Sequence, residues 1–205
     1  MDMKTTGKGP AMIAVTGGIG SGKSAALAAF AAQGAAVLDT DAVVHSLLER
    51  EDVRQAVCRR LGLADLPPGA DGRSLLADEV FSDPDKLASL QEVLFPLVED
   101  RVRAWAGREA AAGAPALVVE VPMLFESGME KLFDFILLIK APEHLRKERY
   151  AGKAGADDFE RRAARQMPDA EKEDRCHRVF ENSGSLDDLK LFVRRCLDAT
   201  VESGG

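Results

Sequence analysis

Between Val15 and Ala25 the chain reads V-T-G-G-I-G-S-G-K-S-A, so Gly17, four residues and then Gly22-Lys23-Ser24 fit the pattern G-x-x-x-x-G-K-[ST]. Such a loop works only where a strand runs into a helix, and both flanks comply. Met12-Ile13-Ala14-Val15 is a short apolar run of buried-strand type, and Ala25 to Phe30 is rich in strong helix formers. Glycines let backbone N–H groups turn inward onto phosphate oxygens, and the helix N-terminus adds its partial positive charge. Lys23 is placed to reach β- and γ-phosphates, and the Ser24 hydroxyl to ligate Mg²⁺. The alternative, a glycine-rich turn that merely joins strand to helix, is disfavoured by the agreement of both flanks. The chain is read as binding a nucleoside triphosphate.

The 205 residues suffice for one domain with insertions, and 46% hydrophobic with 30% charged residues describes a chain that buries a core. A net charge of −7 argues against nucleic acid or an anionic membrane as the main partner. No charge-free apolar run approaches the ~18 residues of a membrane span, and the first ten residues lack the apolar core of a signal peptide. Cys58, Cys176 and Cys196 are far apart and form no C-x-x-C pair. They are expected to be small hydrophobes on helices in a reducing cytoplasm, with neither a metal nor a disulfide framework.

Beyond the first helix, Gly34 is a stop and Ala35 to Leu38 a second short buried strand, ending in Asp39-Thr40-Asp41. Carboxylates at the carboxyl end of a strand in an open α/β sheet sit where ligands bind; equally, Asp41 suits the N-cap of the next helix. Helical spacing runs from Ala42 to about Arg60 with a break near Asp52, and 66–72 reads as a loop. Helices are expected over 73–81 and from Asp83 to about Ala112, with Ser82 or Asp83 as cap, Pro84 in the first turn and a kink or break at Pro96. Trp105 falls on the apolar side of that second helix and is expected in the core. Ala116 to Val121 and Phe133 to Ile139 are apolar enough for central parallel strands. A helix follows from Ala141, then a flexible 152–158 and a short basic helix from Phe159 to Met167 with Arg161, Arg162 and Arg165. That arginine-laden hairpin is either a mobile lid or an ordinary solvated helix pair. Val179 to Asn182 is a last short strand, and Leu186 to Val201 a closing amphipathic helix.

This order predicts an α/β fold: a three-layer P-loop kinase core with a parallel sheet, a helical acceptor-binding insertion and a helical lid. It is expected as one domain over 1–205. The core covers about 11–45, 113–143 and 176–201, the acceptor region about 46–112 and the lid about 144–170. A GTPase-type switch normally carries Asn-Lys-x-Asp, which is missing here, whereas a small-molecule kinase needs an acceptor site, a base and a lid.

T-G-G-I-G-S-G-K-S at 16–24, V-L-D-T-D at 37–41, F-S-D-P-D-K-L at 81–87 and V-P-M-L-F-E-S-G at 121–128 resemble the dephospho-coenzyme A kinase family. A-P-E-H-L-R at 141–146, R-x-x-x-Q-M-P from Arg162 to Pro168 and E-N-S-G-S at 181–185 extend the resemblance over nearly the whole chain. It implies ATP-dependent phosphorylation of the ribose 3′-hydroxyl of dephospho-coenzyme A, the last step of coenzyme A synthesis, in the cytoplasm. Mg²⁺ would be the cofactor, ATP and dephospho-coenzyme A the partners, and the chain a monomer or weak homo-oligomer. By position Asp41 matches the base, and Lys23 with Arg149 completes the catalytic set. Gly18, Ile19, Gly20, Ser21, Gly22, Lys23, Ser24, Ala25 and Asn182 would hold ATP, with Asn182 near the adenine. Thr16, Asp41, His45, Phe95 and Glu126 would face the acceptor, and Arg149, Lys153 and Arg162 would belong to the lid. Glu120 either holds a metal-bound water or is a half-buried, paired acid.

The chain departs from the family pattern chiefly on the acceptor and lid side. His45 stands for an arginine, Leu94-Phe95-Pro96 for His-Pro, Lys153 for a lid arginine and Cys176-His177 for Ala-Asp. Ala25 replaces a threonine. The lid is about two residues short, which makes Arg146 a substitute for Arg149. Two other readings follow: a kinase of the same fold acting on another nucleoside-like alcohol, and a non-catalytic ATP-binding regulator.

Overall fold

The computed structural model describes residues 9–81, 83–151 and 156–202. They fall into two compact units: up to Asp39 with Trp105 onward, and Thr40–Ala104.

The first unit is built on five parallel strands, β1 (Ala11–Thr16), β2 (Ala36–Asp39), β3 (Ala116–Glu120), β4 (Phe135–Lys140) and β5 (Arg178–Glu181), in the order β2-β3-β1-β4-β5. Every residue of β3 and the first five of β4 are buried, as expected of strands covered on both faces. On one face Ile13, Val15, Val118, Phe135, Leu137 and Ile139 pack with Phe30 of α1 (Lys23–Ala31) and with Leu189 and Val193 of α9 (Leu186–Glu202). The parallel register aligns the carboxyl ends: Asp39 lies opposite Glu120, and Val15 is on Glu120's other side. The α/β class and the parallel sheet are therefore as expected. β2 is half-buried instead of buried, because it is an edge strand with one neighbour only.

The chain returns to β5 through α6 (Glu143–Ala151), α7 (Ala156–Ala163) and α8 (Asp169–Glu173). The expected helix from Phe159 to Met167 is shifted: it opens at Ala156, inside the stretch expected to be flexible, and closes at Ala163. Phe159, 2% exposed, anchors it against Tyr150 of α6 with ring centroids 5.8 Å apart, and Lys147 pairs with Glu160 at 2.7 Å. Helix α8 is an addition that the charge run Asp169 to Asp174 did not suggest. Residues 152–155, with Lys153, lie outside the described residues, as does the side chain of Arg162.

The second unit contains α2 (Thr40–Leu48), α3 (Glu51–Leu61), α4 (Gly69–Phe81) and the part of α5 (Pro84–Ala111) up to Ala104. Three expectations change. Helix α4 starts at Gly69, inside the predicted loop, because the Glu49 carboxylate accepts the Gly69 N–H at 3.2 Å and pairs with Arg73 at 2.9 Å. That distant acid satisfies a first-turn donor, as a cap would. Of the kink or break expected at Pro96, the break is absent, for α5 runs through Pro96 as one helix: Leu90, Leu94, Val98 and Val102 are all buried, and this apolar stripe outweighs one lost backbone bond. Asp83 is the cap of α5, its Oδ1 accepting the N–H groups of Asp85 and Lys86 at 3.0 and 3.1 Å. Asp41 does not cap α2, which already begins at Thr40. Trp105, 8% exposed, is in the core as expected.

Cys58 and Cys196 are on α3 and α9, but Cys176 is in the turn before β5 and not on a helix. Burial pushes the Cys196 thiol up to about 11 and that of Cys176 up to about 12, so both stay protonated and unreactive near neutrality. Beside it, His177 binds back to β4. Its Nδ1 accepts the Ile136 N–H at 3.1 Å, its own N–H donates to Ile136 O at 2.9 Å, and its ring stacks on Phe135 at 4.9 Å. Accepting at Nδ1 requires the neutral ring, and burial, then the charge of Arg178, lowers its pKa below the usual 6.5. The folded state thus disfavours the proton that the unfolded chain takes up. The contribution is fully present above pH 6.5 and is lost as pH falls from 6.5 through the lower folded value. Urea midpoints at a series of pH values should fall over that window for the native chain, and less so for His177→Asn, whose amide oxygen accepts the same bond without titrating. Equal slopes would contradict this role.

Candidate active site

The loop from Gly17 to Gly22 leaves the carboxyl end of β1 and enters α1 at Lys23. Gly17 and Gly22 take φ of 143° and 102°, where a side chain would be strained. A Cβ on Gly17 would also collide with the Ile139 carbonyl, and one on Gly22 with the Asn182 amide. Glycine is needed there because the loop is wrapped against the ends of β4 and β5. Inside it Lys23, 7% exposed, curls back so that Nζ donates to Gly18 O at 3.1 Å. Ser21 is fully buried, and its carbonyl accepts the Asn182 Nδ2–H at 2.8 Å.

At the end of the neighbouring strand Glu120 is 6% exposed, and its Oε1 accepts the Ser24 hydroxyl at 3.5 Å. A hydroxyl and a carboxylate are hard oxygen donors that suit Mg²⁺, which keeps several waters and shares phosphate oxygens instead of sitting in an all-protein cage. The described residues contain no cluster of three acidic, His or Cys side chains able to hold a metal. Ser24 and Glu120 fit the ion by this chemistry.

Of the other expected residues, Thr16, Ala25 and Asn182 lie at or beside this loop. Thr16 is fully buried, its hydroxyl donating to Pro122 O at 3.5 Å. Ala25 is half-buried on α1. Asn182, 7% exposed, is fixed by its N–H on Lys140 O at 2.7 Å besides the bond to Ser21. Arg149 is exposed on α6 and donates from Nη2 to Asn182 O at 3.0 Å. Glu126 accepts the Met167 N–H on Oε1 at 2.6 Å. In the second unit, Asp41 and His45 are both exposed on α2, one turn apart and so on one face, and Phe95 is half-buried on α5.

Three contacts add residues to this list. Arg146, one turn before Arg149, lies with Nη1 where a Gly18 side chain would be, and its Nε is buried with no hydrogen-bond partner among the described residues. Gln166 Oε1 accepts the Ile19 N–H at 3.0 Å, so a side chain from beyond α7 occupies a donor of the phosphate loop. Lys172 of α8 is fully buried and donates to Pro122 O at 3.2 Å. Of these, Arg146 was legible as a lid substitute, and Gln166 as part of R-x-x-x-Q-M-P. Lys172 had no signal, because a lysine among five charged neighbours reads as solvated.

A family model described as dephospho-CoA kinase matches residues 11–188. The dephospho-CoA kinase of Thermus thermophilus is 36% identical over 192 residues, covering 93% of this chain and 92% of that protein. That of Rhodopseudomonas palustris strain HaA2 is 33% identical over 192 residues, covering 93% and 96%. The crystal structure of TT1252 from Thermus thermophilus superimposes with a TM-score of 0.77 at 34% identity, over 94% of this chain and 98% of that one. With its phosphate loop intact and matches along almost its full length, the chain belongs to the dephospho-CoA kinase family and is a kinase of the last step of coenzyme A biosynthesis.

Proposed function

We propose that the chain transfers the γ-phosphoryl group of ATP to the ribose 3′-hydroxyl of dephospho-coenzyme A. The observation that carries this reading is the phosphate loop with Lys23 folded inside it, beside the hydroxyl–carboxylate pair of Ser24 and Glu120. The loop N–H groups and Lys23 hold the β- and γ-phosphates, and Asn182 at the end of β5 borders the adenine. Ser24 would ligate Mg²⁺ and Glu120 a water of that ion. Held with the nucleotide, the ion would neutralise phosphate charge.

Asp41 accepts the proton of the 3′-hydroxyl as its oxygen bonds to the γ-phosphorus, while the bond from that phosphorus to the oxygen of ADP breaks. Charge spreads over the transferred oxygens in this step, so Lys23 and an α6 arginine matter more than covalent help. Arg149 fills that role by family position. Arg146, already against Gly18, is its partner on the phosphates. By family position Lys153 and Arg162 would add positive charge on the lid. On the acceptor side Thr16 shapes the floor under Pro122, Glu126 receives a hydroxyl donor, and His45 and Phe95 contact the remainder of the substrate. A histidine in place of an arginine there holds phosphate less firmly. No described helix is long and apolar enough to cross a membrane. We infer work in the cytoplasm, as a monomer or weak homo-oligomer.

Turnover measured with ATP, Mg²⁺ and a panel of acceptors tests this reading. Dephospho-coenzyme A should give the highest kcat/KM, above adenosine, other nucleosides and small alcohols. A higher value for another alcohol would move the substrate assignment to that acceptor. ATP binding without turnover of any acceptor would leave a regulator.

A further inference from the structure

Lys172 is the one fully buried lysine among the described residues. Its Nζ donates to Pro122 O at 3.2 Å and is 3.6 Å from Glu126 Oε1. Pro122 and Glu126 belong to the loop at the carboxyl end of β3, directly beyond Glu120. The same loop is held at further points by the stretch that carries Lys172. The Met167 N–H donates to Glu126, and Arg175 pairs with Glu130 at 2.8 Å and stacks over the Phe125 ring at 4.1 Å. Gln166 reaches the phosphate loop at Ile19, and Glu173 pairs with Lys140 at the end of β4 at 2.5 Å. Residues 166–175 thus tie the phosphate loop, the β3 exit and the β4 end together, and the ammonium of Lys172 is in the middle.

A buried ammonium is a costly way to fill space, since an apolar side chain of similar volume packs there without losing hydration. What an apolar side chain does not do is orient a carboxylate. Glu126 Oε1 is engaged by Met167 and Lys172, while Oε2 is buried with no hydrogen-bond partner among the described residues. An unpaired carboxylate oxygen on a side chain tied to the phosphate loop through Met167 and Gln166 suits a hydroxyl donor on the acceptor.

We propose that Lys172 is a positioning residue: it fixes Glu126 through Oε1 so that Oε2 is aimed at a hydroxyl of the acceptor, and it sets the β3 exit loop through Pro122. This inference rests on the reading of Glu126 as an acceptor-side residue. The test therefore separates the two.

Steady-state kinetics on the full chain would compare native, Glu126→Gln, Lys172→Met and the double variant, with thermal unfolding of each. Losing a hydrogen bond to a charged group predicts an acceptor KM raised by about 10-fold or more in each single variant, with the ATP KM within about twofold. The double variant should be no worse than the poorer single one by more than about twofold, because both changes break the same chain of contacts. If Lys172→Met does not fold, Lys172→Gln, which keeps a donor for Pro122 O, carries the same expectation. An unchanged acceptor KM in Glu126→Gln would overturn the Glu126 reading and the inference with it. An effect in Glu126→Gln but none in the Lys172 variants would overturn the inference alone. So would losses that multiply in the double variant, or a Lys172 defect shared equally by both substrates. In those cases Lys172 serves packing and Glu126 keeps its role.

Discussion

Replacing Lys23 by methionine should lower the single-turnover rate of phosphoryl transfer by about 10²–10³-fold, the scale of removing one preorganised charge stabiliser. The side chain is 7% exposed and its ammonium lies inside the loop on Gly18 O at 3.1 Å, where the β- and γ-phosphates must come. Methionine keeps the stem and its packing, and only the charge is lost. The ATP KM should rise less than the rate falls, since loop N–H groups still hold the ground-state phosphates while the charge that develops in transfer loses its partner. Arginine should not rescue the rate, because a planar guanidinium does not fit a cradle shaped around one buried amine. Rates at saturating ATP, with melting curves to establish folding, check this. A loss below tenfold in a folded variant would remove Lys23 from the catalytic set.

Asp41→Asn should cost about 10²–10⁴ in kcat, the range for a general base, with little change in either KM. The amide has the same shape, still accepts a hydrogen bond, and cannot take the proton of the 3′-hydroxyl. Asp41 is exposed in the first turn of α2, where a carboxylate favours the helix by about 0.3–1 kcal/mol through its dipole, and that contribution should be lost in the variant. Nearly unchanged melting together with a collapsed kcat distinguishes a chemical role from a structural one. A kcat within about tenfold of native would mean that the hydroxyl is deprotonated by phosphate oxygen or water and that Asp41 only orients it.

The phosphate loop and its flanking strand and helix were legible in the sequence because their determinants are local. Gly17 to Ser24 carries its own geometry, and the apolar runs of β1, β3 and β4 announce strands buried on both faces. What escaped reading depends on distant partners. The start of α4 at Gly69 needs the carboxylate of Glu49, twenty residues away. The continuity of α5 through Pro96 needs the buried stripe from Leu90 to Val102, and the half-burial of β2 follows from its place at the sheet edge. Helix α8 was hidden because five residues of D-A-E-K-E look like a solvated charge run until Lys172 is seen under Pro122 and Glu126. On the lid, family position favours Arg149, whereas in the structure Arg149 meets Asn182 O and Arg146 lies on Gly18. Spacing along one helix face cannot separate residues one turn apart, and only their contacts do.

Asp41 is the proposed base for phosphorylation of the 3′-hydroxyl of dephospho-coenzyme A by this chain. The most direct test incubates native chain and Asp41→Asn in parallel with ATP, Mg²⁺ and dephospho-coenzyme A, quantifying product by mass and locating the new phosphate by ³¹P NMR. Coenzyme A phosphorylated at the 3′ position is expected from the native chain and, over the same interval, only a trace from the variant. No coenzyme A from a native chain that binds ATP would rule out this reaction, and an equal yield from Asp41→Asn would rule out Asp41 as the base.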